Sequence, residues 1–138
     1  MSWEWIQRDT VFAIHDKQIT VHGGLTGIRD INAVDSALDR AKNLDAYGNP
    51  APDVADLAAA YICGIAGNHG FNDGNKRTAW VVGRLFLALN NATLVFDAVQ
   101  AINFMMAVAA GNLSEQQAAD WLRQHFHANY PCLGKPSP

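Results

Sequence analysis

The sequence predicts an all-α fold of about six helices packed around a central buried helix at residues 75 to 90. Three observations carry this. Val54, Leu57, Ala58, Tyr61, Ile62, Ile65 and Ala66 follow one another in unbroken steps of three and four, the period of an amphipathic helix. Residues 79 to 89, "AWVVGRLFLAL", are apolar on every side except at Arg84, and the run from Asn75 to Asn90 is too long for an ordinary strand. Helix-start signals recur along the chain, at Asp30, Asp53, Asp97 with Gln100, and Ser114 with Gln117.

Taken in order, residues 8 to 22 place Val11, Phe12, Ile14 and Ile19 on a loosely helical face, and "GGLTG" at 23 to 27 interrupts it. Asp30 caps a helix bearing Val34, Ala37, Leu38 and Ala41. "NLDAYGNPAP" reads as a loop, because Pro50 and Pro52 cannot continue a helix. Asp53 caps the strongly periodic helix, which ends near Gly67 and Asn68. The buried helix of residues 75 to 90 follows a polar decapeptide, and "NNATL" turns the chain. A helix from Ala98 to Ala110 then presents Val99, Ile102, Met105, Met106 and Ala109 inward, and Gly111 closes it. The last helix carries Ala118, Trp121, Leu122 and Phe126. One domain over residues 1–127 is expected, with 128–138 as a flexible tail.

Composition narrows the function classes. With 138 residues, 49% apolar and 17% charged, the chain is an ordinary globular one and can bury roughly two thirds of its unfolded surface. No apolar run reaches the roughly 20 residues of a bilayer span. The opening "MSWEWIQRD" lacks a signal pattern, so a cytoplasmic location is expected. Net charge is −3, from 10 basic and 13 acidic side chains. That balance shows no basic stripe and argues against direct nucleic-acid binding. Cys63 and Cys132 have no CxxC partner and read as reduced thiols.

The polar decapeptide "HGFNDGNKRT" at 69 to 78 concentrates the chemistry. It joins the end of one helix to the start of another, whose first N–H groups lack intrahelical partners and carry the positive end of the dipole. Lys76 and Arg77 oppose that dipole, by about 0.3–1 kcal/mol each when exposed, unless an anion sits among them. The orphan N–H groups around Asn75 to Thr78, the dipole, Lys76 and Arg77 therefore describe a phosphate seat, and Gly74 lets a ligand approach the backbone. Asp73 would repel phosphate alone, but Mg²⁺ accepts a carboxylate and phosphate oxygens together. His69 is placed to take a proton from an attacking hydroxyl. Singly, each residue has a plainer explanation: His69 as a hydrogen-bonded helix end, Asp73 as a cap, the cations as a solvated pair. Together they fit transfer of a phosphorus group from a nucleotide to an alcohol. Phe71 reads as the core anchor of the loop. The spacing is not a Walker loop, and no HExxH, EF-hand or GxGxxG occurs. The remaining histidines, His15, His22, His125 and His127, have no comparable setting, and Trp3, Trp5, Trp80 and Trp121 read as packing residues.

"HGFNDGNKRTA" resembles the signature of the Fic/Doc superfamily, specifically its death-on-curing toxin branch. "GGLTGIRD", "NLDAYG", "DLAAAYICGIAGNH" and "AAGNLSEQQAADWL" agree with it, so the resemblance extends to about residue 127. It implies a compact helical domain using ATP and Mg²⁺. His69 is then the catalytic histidine, Asp73 the metal ligand, and Gly74, Asn75, Lys76 and Arg77 the anion-binding loop. Fic AMP transferases tend to read HxFx[DE]GNGRxxR, whereas this chain has Lys76 at the second GNG glycine and Trp80 at the last arginine. The toxin branch is similar in these departures, and by that resemblance implies γ-phosphoryl transfer to a threonine of elongation factor Tu, which halts translation. AMP transfer to a protein hydroxyl, or a catalytically silent binding module, stands as the alternative. No self-inhibitory [ST]xxxE[GN] motif occurs. The resemblance thus implies control by a Phd-like antitoxin whose disordered tail folds into a groove near the site, any operator binding belonging to the antitoxin. "GGLTGIRD" is either an edge for a target segment or a plain linking turn capped by Asp30.

Overall fold

A computed structural model describes residues 2–127. The tail expected over 128–138, with Cys132, lies outside the described residues. Six helices form in the order α1 (Arg8–His22), α2 (Ile31–Tyr47), α3 (Val54–Asn68), α4 (Asn75–Leu89), α5 (Ala98–Ala109) and α6 (Glu115–Gln124). Among the described residues there is no strand; only the isolated bridges Ile28–Phe71 and Leu94–Phe126 pair extended backbone. None of these helices is long and apolar enough to cross a membrane.

The caps read from sequence are in place. Asp30 accepts from the Asn32 and Ala33 N–H groups, and Asp53/Asp56, Asp97/Gln100 and Ser114/Gln117 form reciprocal capping boxes. α2 runs further than the sequence suggests. The "NLDAY" segment, expected as loop, completes it through Tyr47, with Leu44 packed against the core and the Gly48 N–H closing on the Leu44 carbonyl at 2.8 Å. Proline forbids a helix only from its own position and constrains the residue before it, so the residues ahead of Pro50 remained free to coil.

The all-α class and the six elements hold, but the centre of the bundle is α3, not the helix of residues 75–90. Of α3, Val54, Ala55, Leu57 to Ile62, and Gly64 to Ala66 are buried, and α2, α4, α5 and α6 all pack on it. Small side chains make this feasible. A Cβ on Gly64 would stand 3.2 Å from the Ala37 backbone, so α2 and α3 touch almost backbone to backbone. α4 is long and apolar but one-sided: Val82, Phe86 and Leu87 are buried, while Arg84, Ala88 and Leu89 are exposed. Its outer end is covered by the N-terminal segment, where Trp3 and Trp5 lie against Phe86.

α5 turns a different face inward from the one expected. Ala101, Phe104, Met105 and Val108 are buried, while Val99, Ile102 and Met106 are more than half exposed. Both stripes have helical spacing, and α5 has helical neighbours, α3 and α4, on one side. The second stripe stays outside.

Candidate active site

The decapeptide occupies the gap between the C-terminus of α3 and the N-terminus of α4. His69 ends α3 in the left-handed conformation (φ 52°, ψ 45°), which few side-chain-bearing residues adopt. Its carbonyl accepts a 2.9 Å bond from Arg29 Nε, so Arg29, undirected in the sequence, is directed at the backbone of the site. Gly70 follows, pressed onto the start of α2, where a Cβ would collide with the Val34 side chain. The Gly70 carbonyl accepts from the N–H groups of Arg29 and Asp30, and Asn72 N–H donates to the Gly27 carbonyl. Together with the Ile28–Phe71 bridge, these bonds lay the exposed segment 23–30 alongside the loop.

Phe71 is buried, as expected for an anchor. Its backbone is clamped twice by one side chain: its N–H donates to Asn75 Oδ1 at 3.1 Å, and its carbonyl accepts from Asn75 Nδ2 at 3.0 Å. Asn75 thus braces the loop through its amide, leaving its backbone N–H for the cavity. Asp73 is partly exposed. One carboxylate oxygen accepts from Leu25 N–H (3.2 Å) and the other from Gly74 N–H (2.9 Å). These two bonds, with the Arg77 charge, hold the Asp73 carboxyl below its ordinary 3.8. Each oxygen keeps a free lone-pair direction, since a carboxylate offers about four.

Gly74 is the N-cap of α4, at φ 75°, and glycine adopts that conformation without the penalty a side chain brings. No side chain caps this helix, in contrast to α2, α3, α5 and α6. The N–H groups that follow Gly74 therefore face a cavity of about 400 Å³ lined by His69, Asp73, Gly74, Asn75, Lys76 and Arg77. All six sequence-selected residues are brought to one opening, with Lys76 and Arg77 exposed beside it. The donor set suits a polyphosphate with Mg²⁺: uncapped amides and two cations for anionic oxygens, and one ionised, accessible carboxylate for a cation that keeps most of its waters. Among the described residues no cluster of three or more His, Cys, Asp or Glu could cage a metal unaided, so a Mg²⁺ ion at this site would need oxygens from a bound nucleotide.

Sequence reasoning passed over His15. It lies on α1, only 2% exposed, with Nε2 2.8 Å from the Asp73 carbonyl and its ring stacked on Phe71 at 3.8 Å. A signal was available: Val11, His15 and Ile19 are spaced by fours, which puts the imidazole on the buried face of α1.

A second cavity, of about 460 Å³, adjoins the first. Trp80, Phe96, Ile102, Met105 and Met106 line it, and it shares Lys76 and Arg77 with the first. Trp80 packs edge-on against Phe96 and Phe104, and Arg84 lies over Trp80 and Phe96.

Residues 5–87 match the model of the Fic/DOC family, and the chain belongs to it. The relatives are more particular. "Protein kinase doc" of Escherichia phage P1 is 34% identical over 121 residues, covering 88% of this chain and 94% of that protein. "Toxin Doc" of Mycolicibacterium smegmatis is 39% identical over 93 residues, covering 63% of this chain and 68% of its own.

Proposed function

We propose that this chain is the toxin of a toxin–antitoxin pair, a cytoplasmic protein kinase that transfers the γ-phosphoryl group of ATP to a Ser or Thr hydroxyl of a translation factor, elongation factor Tu. The observation that carries this is the convergence of His69, Asp73 and the uncapped α4 start on one cavity. The name "Protein kinase doc" of a relative that aligns with 88% of the chain supports phosphoryl rather than AMP transfer. So does Trp80, which replaces the arginine of the AMP-transfer signature and packs against Phe96 and Phe104.

ATP would supply the phosphoryl group and leave as ADP, and Mg²⁺, when bound, would neutralise the phosphate oxygens. The chain's own contributions follow from position. The Asn75–Arg77 amides, Lys76 and Arg77 bind and orient the phosphates at the helix start. Asp73 holds the metal. His69, at the rim, takes the proton of the incoming hydroxyl, a contribution of about 10²–10⁴-fold in rate. The rigid Asn75–Phe71 clamp and the Arg29 bond to the His69 carbonyl keep these groups in register.

The antitoxin, Phd-like, inhibits by folding the apolar face of its disordered tail into the second cavity and over the exposed Val99, Ile102 and Met106. Lys76 and Arg77 border both cavities, so an occupied groove also obstructs the anion site.

The test uses purified elongation factor Tu with ATP labelled at either the α or the γ phosphate. Label from the γ position only, lost in His69→Ala, is the expected result. Label from the α position only makes the protein an AMP transferase. Label from neither, with folded protein and native factor, makes it a binding module.

A further inference from the structure

We propose that His15 is the positioning residue of the metal–nucleotide site, acting from α1 through the Asp73–Gly74 peptide plane. The inference rests on the ATP and Mg²⁺ reading above and deepens it. A carbonyl oxygen can only accept, so the 2.8 Å contact to Asp73 requires a hydrogen on His15 Nε2. The other ring nitrogen is 3.8 Å from Asp16, whose side chain is 83% exposed, so the imidazole's one short bond in this pair of contacts is to Asp73.

The Asp73 carbonyl and the Gly74 N–H belong to one planar amide, so fixing the oxygen fixes the direction of the N–H. That N–H is one of the two donors to the Asp73 carboxylate, at 2.9 Å. It also precedes the amides of Asn75 to Arg77, because Gly74 is the N-cap of α4. Turning this one plane moves the metal carboxylate and the helix entrance together. The same imidazole stacks on Phe71 with an interplanar angle of 9°, so it holds the loop on both sides of Asn72. A buried imidazole donating to a loop carbonyl beside a metal carboxylate is how proteins orient ligands from behind; losing such support typically weakens metal affinity by about 10–100-fold.

His15→Phe keeps a ring against Phe71 and removes the donor. His15→Gln keeps a donor of similar reach and removes the stack. ATP uptake by the intact chain is followed calorimetrically across a Mg²⁺ series, with melting temperatures measured alongside. His15→Phe is expected to raise the half-saturating Mg²⁺ concentration about tenfold or more while still folded, and His15→Gln to recover most of that loss. A purely structural imidazole lowers the melting temperature of both variants and leaves the Mg²⁺ requirement of the folded protein unchanged; that outcome overturns the proposal. If His15→Phe does not fold, His15→Met, which also lacks the donor, takes its place: a Mg²⁺ requirement raised about tenfold sustains the proposal, and an unaltered one overturns it. Wild-type protein that takes up no ATP in Mg²⁺ removes the underlying function as well, whereas wild-type uptake with an unaltered His15→Phe removes only the role given to His15.

Discussion

Replacing Arg123 by methionine keeps the aliphatic stem but strips the guanidinium that ties α6 to the start of α3. Arg123 Nε and a terminal nitrogen bind both oxygens of Asp53 at 2.8 and 2.9 Å, the same nitrogen reaches Asp56 at 2.6 Å, and the other holds Asp120 at 2.6 Å. Asp53 is 6% exposed, so the substitution leaves a buried carboxylate served only by the Asp56 backbone N–H. Removing one partner of a fully buried pair costs about 3–5 kcal/mol. The Arg123 side chain is 25% exposed and that of Asp56 30%, which brings the expected loss to about 2–3 kcal/mol. At about 4 °C per kcal/mol for a chain of this size, the melting temperature should fall by roughly 8–12 °C at neutral pH. The difference should depend on pH in a definite direction. Burial pushes the Asp53 carboxyl up, but the Arg123 and Asp56 hydrogen bonds outweigh it and hold the pKa below the ordinary 3.8. A depressed carboxylate contributes stability that is complete above its unfolded pKa and disappears as pH falls through its folded one. The wild-type and Arg123→Met melting curves should therefore lie furthest apart at neutral pH and draw together on acidification, as the unpaired Asp53 of the variant protonates first and the paired Asp53 of the wild type only below 3.8. ATP uptake at low temperature should be unchanged, because the site lies at the other end of α3, about 22 Å along the helix. A melting difference that is negligible at neutral pH, or constant through acidification, refutes the reasoning.

Three further outcomes are expected. Asp73→Asn should raise the Mg²⁺ concentration that ATP uptake requires at neutral pH, where the Leu25 and Gly74 amides keep the wild-type Asp73 ionised; titration calorimetry reads the shift. Gly70→Ala drives a methyl group into Val34 and should cost about 1–3 kcal/mol in denaturant unfolding. Ile102→Asp charges the exposed stripe of α5 and should abolish antitoxin binding in a pull-down with the co-expressed partner, with uptake of ATP retained.

Much of this protein is determined by local sequence. The starts of α2, α3, α5 and α6 are encoded in three- and four-residue capping patterns, and such a cap forms wherever its side chain can reach the next free N–H, whatever the surroundings. The decapeptide is legible for a similar reason: every polar or charged side chain that lines the cavity at the start of α4 lies within nine consecutive residues, from His69 to Arg77. What spacing along one helix does not encode is which neighbour covers which face. α5 carries two apolar stripes of helical period, and only the arrangement of α3 and α4 chose Ala101, Phe104, Met105 and Val108 for the interior, leaving Val99, Ile102 and Met106 exposed, the last two beside the second cavity. α4 is apolar enough for the centre of the bundle, yet α3 took that place, because alanine and glycine admit close neighbours all around an axis. His15, on a different helix and 58 residues before Asp73, joined the site only through tertiary packing. Periodicity reports that a side chain is buried; the partner it meets there is a property of two elements at once.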